Sequence, residues 1–460
     1  MIAKYRYPII TGLILLAIAF LVFLNFQRID RSVWGSPYED YGIAITIDNS
    51  NQVIVGGLNW VDSGVNNGSL SFLSPSKWIK GIFIHALDSS GFESWSFSSA
   101  NSHSRYIISD IAACPNDDII VNGYYSSCDE QDSSNDYDVW LERIKPGGST
   151  QWIRFWGDNL NDFGLAIALD GLSCIYMVGQ SNAERISLEE QESSNAWPFY
   201  EGDCLLSKYG LNGVLLYDVR WENPGDDLLC AVDCLPDGSA IVGGYYTEEF
   251  SWDISGVLHS INSVGEADCL LMRVNETGNV IWTRSIGSRV RDIISGISCN
   301  EYGHIFATGY FQEYIEIETS SGIDVIQANG GKDVFIAELD ENGVIKWIES
   351  FGGSGDDHSY SIYAGHNGAV YVAGSFENVI ALESSYGVDT VESNGNSDAF
   401  LVKYNAYGDY QWIRTWGTKS FSDYGRDVVE DKDGRIFVTG EYEGDVFLYA
   451  FTADGARCDF

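Results

Sequence analysis

GGKDVFIAELDENGVIKWIESFGGSGDDHSYSIYAGHNGAVYVAGSF, residues 330–376, runs from an Asp through an apolar segment, an Asn-Gly turn and a Trp to an Asp-Asp pair, and ends on an apolar phrase closed by glycine. The order recurs along the chain. The closing phrase reads VIVGG, IIVNG, IYMVG, AIVGG, IFATG, VYVAG and IFVTG, ending at Gly57, Gly123, Gly179, Gly244, Gly309, Gly374 and Gly440, with spacings of 66, 56, 65, 65, 65 and 66. An aromatic follows the same period at Trp152, Tyr217, Trp282, Trp347 and Trp412, with Trp95 one shorter step upstream. So does an Asp at Asp138, Asp203, Asp268, Asp333 and Asp398. Three registers with one period define a repeat protein.

Each unit reads as four strands. Strand A alternates (Ile43, Ile45, Ile47; Leu165, Ile167, Leu169), a turn such as Asp170-Gly171 or Asp433-Gly434 leads into strand B, and B ends on the marker glycine. Strand C follows the marker Asp (Phe335-Ile336-Ala337), and Asn342-Gly343 turns the chain into strand D with Trp347. Seven such units predict an all-β, seven-bladed β-propeller of four-stranded antiparallel blades over residues 28–460. A solenoid of stacked hairpins is the alternative.

The phrases quoted above, and NSDAFLVKYNAYGDYQWIRTWG at 396–417, resemble the SBBP-type β-propeller repeat of bacterial and archaeal surface and secreted proteins. The resemblance is strongest from Asp138 to Tyr442. It departs in unit 2, where His103-Ser104-Arg105-Tyr106 replaces the acidic-Gly phrase, and in the short unit 7. It implies the propeller fold and an exported location, and it carries no catalytic residues to transfer.

Composition agrees with short strands and many turns: 49 glycines, 14% aromatics and only 20% charged residues. The formal charge of −40 repels phosphate backbones and anionic lipid surfaces, so nucleic acid is excluded as an expected partner. Residues 8–26 (PIITGLILLAIAFLVFLNF) carry no charge and are long enough to cross the roughly 30 Å apolar layer of a bilayer as a helix. We expect residues 1–27 to be an uncleaved signal anchor, placing the propeller on the extracytoplasmic side of a single-pass membrane protein. The nine cysteines, scattered without zinc-type spacing, read as buried thiols, with bridges as the alternative; Cys204 with Cys269, and Cys234 with Cys299, share repeat positions.

Seventeen residues before each marker glycine stand Asp40, Tyr106, Asp162, Asp227, Asp292, Asp357 and Asp423. If strand A lines the channel, the six carboxylates Asp40, Asp162, Asp227, Asp292, Asp357 and Asp423 form a ring at its mouth, a candidate ligand site with calcium as the one cofactor to consider. The plainer reading is that each Asp caps its loop by accepting backbone N–H bonds. From marker glycine to marker Asp (Gly81 in unit 1) the step is 24 residues in five units, 15 in unit 2 and 5 in unit 7, enough in the five for an extra hairpin on the D–A and B–C face. The position of the packing aromatic falls on Asp459 in unit 7, whereas Val33-Trp34-Gly35 matches the end of a strand D, so the early segment is expected to supply the missing outer strand and bury Trp34.

No HExxH, GxSxG or P-loop occurs, and the six histidines fall at unrelated repeat positions. The expected function is therefore a non-enzymatic, monomeric binding or scaffolding module for a protein or glycan partner. The rival is a carboxylate-dependent hydrolase or lyase at the channel mouth, using pairs such as Asp226-Asp227 and Asp356-Asp357.

Overall fold

The marker glycine is where the fold is tightest. A Cβ on Gly57, Gly123, Gly179, Gly244, Gly309, Gly374 or Gly440 would lie within 2.1 Å of a strand A carbonyl oxygen, because strand A bulges over strand B at that point. Only glycine admits that approach, so the phrase ends the same way in every unit.

The computed structural model describes residues 33–36, 39–62, 78–99, 104–127, 136–171, 173–184, 201–319, 322–384 and 387–458. These form seven antiparallel blades in the strand order A-B-C-D. Blade 5, for example, runs Ile293–Cys299, Ile305–Thr319, Gly322–Leu339 and Ile345–Gly353. Strand A is innermost in each. Inward-facing apolar side chains of adjacent blades interlock into shared clusters, such as Ile241 and Leu271 of blade 4 with Ile305, Phe335 and Ala337 of blade 5. The seven-bladed architecture expected from the period is present. The anchor expected over residues 1–27 lies outside the described residues, and among the described residues no helix is long and apolar enough to cross a membrane.

The periodic aromatic joins blades. Each one seats on the C–D turn glycine of the next blade: Trp95 by Gly148, Trp152 by Gly213, Tyr217 by Gly278, Trp282 by Gly343, Trp347 by Gly408 and Trp412 by Gly455. All six glycines have positive φ, between 74° and 86°, so the turn fits tightly under the ring. In blades 2, 4 and 6 an Arg two residues on donates from Nε to the carbonyl of that glycine: Arg154 at 2.9 Å, Arg284 at 2.9 Å and Arg414 at 2.6 Å.

Blade 7 closes the ring with a divided outer strand. Strand C, Asp445–Phe451, pairs at one end with Val33–Trp34 (Val33 opposite Phe447) and at the other with Arg457–Cys458 (Ala450 opposite Cys458). The early segment thus supplies half of the outer strand and the late segment the other half. Trp34 is half-buried rather than buried, edge-on to Phe83 and His85 of blade 1 at centroid distances of 6.5 and 6.0 Å.

The extra hairpins are present in blades 4, 5 and 6, but they do not stand on the face. Glu249–Ile254 with Val257–Asn262, and Val379–Ser384 with Gly387–Glu392, turn back down the rim. Phe250 and Trp252 pack with Trp221 of blade 3, and Ile380 and Leu382 with Phe351 of blade 5. Burial against the preceding blade's strand D is the reason, and Gly352 and Gly353 even pair with Ala381 and Ile380. Among the described residues Cys114, Cys174, Cys204, Cys230, Cys234, Cys269 and Cys299 form no disulfide, Cys204 and Cys269 being fully buried; Cys128 lies outside the described residues.

Candidate functional site

The six repeat carboxylates are not on the channel wall. Asp40, Asp162, Asp227, Asp292, Asp357 and Asp423 are each 0% exposed, Asp162 at the start of strand A and the others just ahead of it, and each accepts at least one backbone N–H bond. Asp292 accepts from Ser288 at 2.5 Å and Gln312 at 3.0 Å, and Asp423 from Thr418 at 2.7 Å and Glu443 at 2.8 Å. Asp357 accepts from Gly353 and Glu377, Asp40 from Ser36 and Trp60, Asp162 from Asp158 and Asp227 from Thr247. Their own N–H groups reach back to the preceding blade, as in Asp292 to the Ala267 carbonyl at 2.8 Å and Asp40 to that of Gly444 at 2.8 Å. The residue sits before the bulge, so its side chain turns into the D–A loop instead of toward the axis. These are loop staples that stitch neighbouring blades. Burial nevertheless pushes the carboxyls of Asp227 and Asp357 up to about 8 and that of Asp292 up to about 7. Of the acid pairs, Asp226 accepts from Tyr245 Oη at 2.7 Å and Gln180 Nε2 at 2.9 Å, while Asp356 is half-exposed beside Lys332.

The carboxylates that do line the channel break the repeat. Asp110 and Asp427 stand 13 residues before the marker glycine, where the other units have Ala44, Ala166, Ala231, Gly296 and Ser361; Asp233 stands two positions later in its unit. Each accepts an N–H from strand A of the next blade: Asp110 from Ile167 at 2.8 Å, Asp233 from Cys299 at 2.7 Å and Asp427 from Ile45 at 2.8 Å. They satisfy donors on the open inner edge of strand A. Burial, reinforced by Asp427 and Asp233, pushes Asp110 up to about 8, and burial raises Asp233 and Asp427 to about 6. The missed signal was the substitution of an acid at a small-residue position.

The channel encloses about 740 Å³, and its mouth on the D–A and B–C face is two-sided. One side, from blades 2 and 3, is apolar, with Ile107, Ile108 and Leu165 in the wall. On the other, Tyr360, Arg426, Tyr41 and Lys80 of blades 6, 7 and 1 stand in the wall, and a row of cation and ring contacts continues from Tyr360 beyond the wall to His358, Lys332 and Tyr310. Arg426 lies between Tyr360 and Tyr424, its Cζ 4.6 and 4.5 Å from their centroids, and donates from Nε and Nη2 to Glu441 Oε1 at 3.0 and 2.9 Å. His358 stacks on Tyr360 and lies 3.2 Å from Lys332 Nζ through Nε2. Lys332 covers Tyr310 at 4.8 Å, and Lys80 covers Tyr41 at 4.7 Å. Burial lowers the affinity of Lys80, Lys332 and His358 for their protons; burial and the Lys332 charge hold His358 down to about 4. Its neutral Nε2 accepts from the ammonium. Lys80 and Lys332 share one repeat position, the residue before the marker, filled elsewhere by Tyr137, Gly202, Ala267, Ser397 and Gly444.

Among the described residues no group of His, Cys, Asp and Glu side chains is arranged to hold a metal ion.

No family model matches the chain. Of curated proteins, it is 21% identical over 436 residues to an uncharacterized WD repeat-containing protein of Acanthamoeba polyphaga mimivirus, covering 77% of this chain and 30% of that one. It is 25% identical over 192 residues to the regulatory protein FlaEY of Caulobacter vibrioides, covering 41% and 19%. The chain thus spans less than a third of the length of either relative. Among solved structures, Sqt1 of Chaetomium thermophilum is similar with a TM-score of 0.45 and 12% identity, covering 90% of this chain and 96% of that one. The Pan2 WD40 domain of Neurospora crassa follows with 0.44 and 8%, covering 90% and 97%. The WD repeat-containing relative and the WD40 domain are β-propeller repeat proteins, and neither is described as of the SBBP type.

Proposed function

We propose that this propeller is a non-enzymatic scaffold that binds a protein partner on the face where the D–A and B–C connections emerge. One observation carries the reading. The staples, marker glycines and joint aromatics recur from blade to blade, whereas the side chains toward this mouth vary, as Tyr41, Ile107, Phe163, Leu228, Ile293, His358 and Tyr424 show with five residue types at one repeat position. Uniform positions build a symmetric ring, and varied ones give it a distinctive surface. Exposed apolar residues flank the mouth at Leu160 and Phe421.

The test is affinity capture with the full chain against its Leu160→Asp/Phe421→Asp variant and a rim control, Leu258→Asp. Partners held by the parent and the rim control should be lost by the face variant. Equal capture by all three overturns the assignment of the face. A glycan array run in parallel separates protein from glycan recognition.

The finer reading is an SBBP-type surface protein, tethered through residues 8–26 with the propeller outside the cytoplasm. The uncharged apolar run and the repeat phrases support it. Protease added to intact cells should degrade the propeller; full protection, or a mature chain beginning after Ala19, argues against the anchor.

A further inference from the structure

We infer that the cation–aromatic side of the channel mouth receives a carboxylate of the partner protein, carried on an apolar body that rests against the opposite wall. This deepens the scaffold reading and depends on it. On a chain with 66 acidic and 26 basic residues, Lys80 and Arg426 stand in the wall of one opening, with Lys332 beyond them. Arg426 is committed to Glu441, and Lys332 shares its ammonium between His358 and Asp356, 3.9 Å away. Lys80 is different: it is half-buried over Tyr41, and among the described residues it makes no hydrogen bond or ion pair. Glu441 and Glu39 lie near enough to favour its charge, yet neither is in contact with it, and a partly dehydrated ammonium so placed gains from an arriving carboxylate, since both charges then interact where water is scarce.

Geometry selects the rest of the ligand. Ile107 and Leu165 in the same wall offer only hydrocarbon, and Tyr360 and Tyr41 line it beneath the cations that cover their rings. A bare inorganic anion leaves that wall wet, and an apolar group without charge leaves Lys80 unpaired. An acidic residue next to an aromatic or aliphatic one, or a carboxyl terminus that ends in such a residue, meets both demands.

Calorimetric titration of the full chain with 3-phenylpropionate, and with its uncharged counterpart 3-phenylpropan-1-ol, tests the charge. The acid should saturate and the alcohol should bind at least ~10-fold more weakly, about 1.4 kcal/mol. Lys80→Met and Lys332→Met should each weaken the acid several-fold, and Lys145→Met, exposed at the end of a strand C elsewhere, should not. Binding should also raise the titration midpoint of the His358 ring followed by NMR, a readout independent of any change in stability. Two peptides distinguish the source: an amidated one with an internal Phe-Glu, and one with no acidic side chain that ends in a free Phe carboxylate. Saturation by either supports the inference and names the source. Equal binding of acid and alcohol, binding unaffected by Lys80→Met, or no saturation by either peptide overturns it. If Lys80→Met keeps every partner that Leu160→Asp/Phe421→Asp loses, this inference fails while the scaffold reading stands.

Discussion

Replacing Trp282 with Ala removes the aromatic that joins blade 4 to blade 5. The side chain is 9% exposed, covers Gly343 of the next blade and donates from Nε1 to the Glu341 carbonyl at 3.0 Å. Loss of a buried Trp costs about 3–5 kcal/mol where the cavity cannot collapse. The hydrogen bond adds little beyond that, about 1 kcal/mol, because Glu341 O keeps its bond from Arg273 Nη1 at 2.6 Å and is not orphaned. One face of the ring borders the rim, so we expect about 3–4 kcal/mol in urea unfolding. Ile281→Ala, on the neighbouring residue at 45% exposure, should cost about 1 kcal/mol and serves as the control. The partner substitution sharpens the test. A Cβ on Gly343, at φ 74°, would lie 3.0 Å from the indole, so Gly343→Ala costs about 1–2 kcal/mol for the backbone plus the clash. In the Trp282→Ala background only the backbone cost remains, giving a coupling of about 1 kcal/mol or more. Equal losses for Trp282→Ala and Ile281→Ala, or strict additivity with Gly343→Ala, would refute the stack as the joint.

Asp292→Ala strips two backbone N–H groups of their acceptor and should cost about 2–4 kcal/mol, with or without added calcium; a loss seen only with calcium would point to a metal site instead of a staple. Stability should depend on pH through the buried acids. Asp110, Asp227 and Asp357 at about 8 and Asp292 at about 7 lie above the unfolded 3.8, so the folded chain holds protons that the unfolded chain releases. Their contribution is full below the unfolded value and is lost as pH rises through 7 and 8, while His358, held near 4, opposes it as pH falls below 6.5. Melting temperatures of the parent and Asp110→Asn should therefore diverge from pH 5 to 8.5, the neutral variant keeping stability that the parent loses, and a gap that stays constant or closes would contradict the raised carboxyl. Deleting residues 28–34 should lower the unfolding midpoint through lost pairing of Val33 and Trp34, and Trp34→Ala, half-buried, should cost about 1–2 kcal/mol, less than Trp282→Ala; an unchanged midpoint on deletion would mean that Arg457–Cys458 suffices.

How much of this was readable depends on how local each cause is. Marker glycine, turn glycine and joint aromatic recur because one blade's geometry demands them, so the period disclosed blade number, strand order and contact residues together. The staple carboxylates were legible in spacing and misplaced in direction. Whether Asp292 faces the axis or its own loop depends on a bulge one step later, between Ile294 and Gly296, which an alternation pattern does not record. The hairpins of blades 4, 5 and 6 were placed correctly in sequence, those expected in units 1 and 3 lying outside the described residues, but their fold-back follows from a groove beside another blade's strand D. Asp110, Asp233, Asp427, Lys80 and Lys332 escaped because attention to what repeats passes over what does not; comparing the seven units position by position would have found them.

A circle built from seven links with six of one kind has a seam. Between blades 7 and 1 the position of the ring-seating aromatic is an aspartate, and the outer strand there is pieced from two short segments. The seam runs radially to the mouth, with Arg426 and Glu441 on one bank and Tyr41 and Lys80 on the other. If the seam yields before the other joints, the aperture changes with it, and the distance from Lys80 to Glu441 is then its gauge. The amide of Ile45, held across that line by Asp427, should exchange its hydrogen sooner than the corresponding amide of Ile167, held by Asp110. A weak link placed there gives an otherwise stiff wheel one adjustable gap, at the place where a guest would enter.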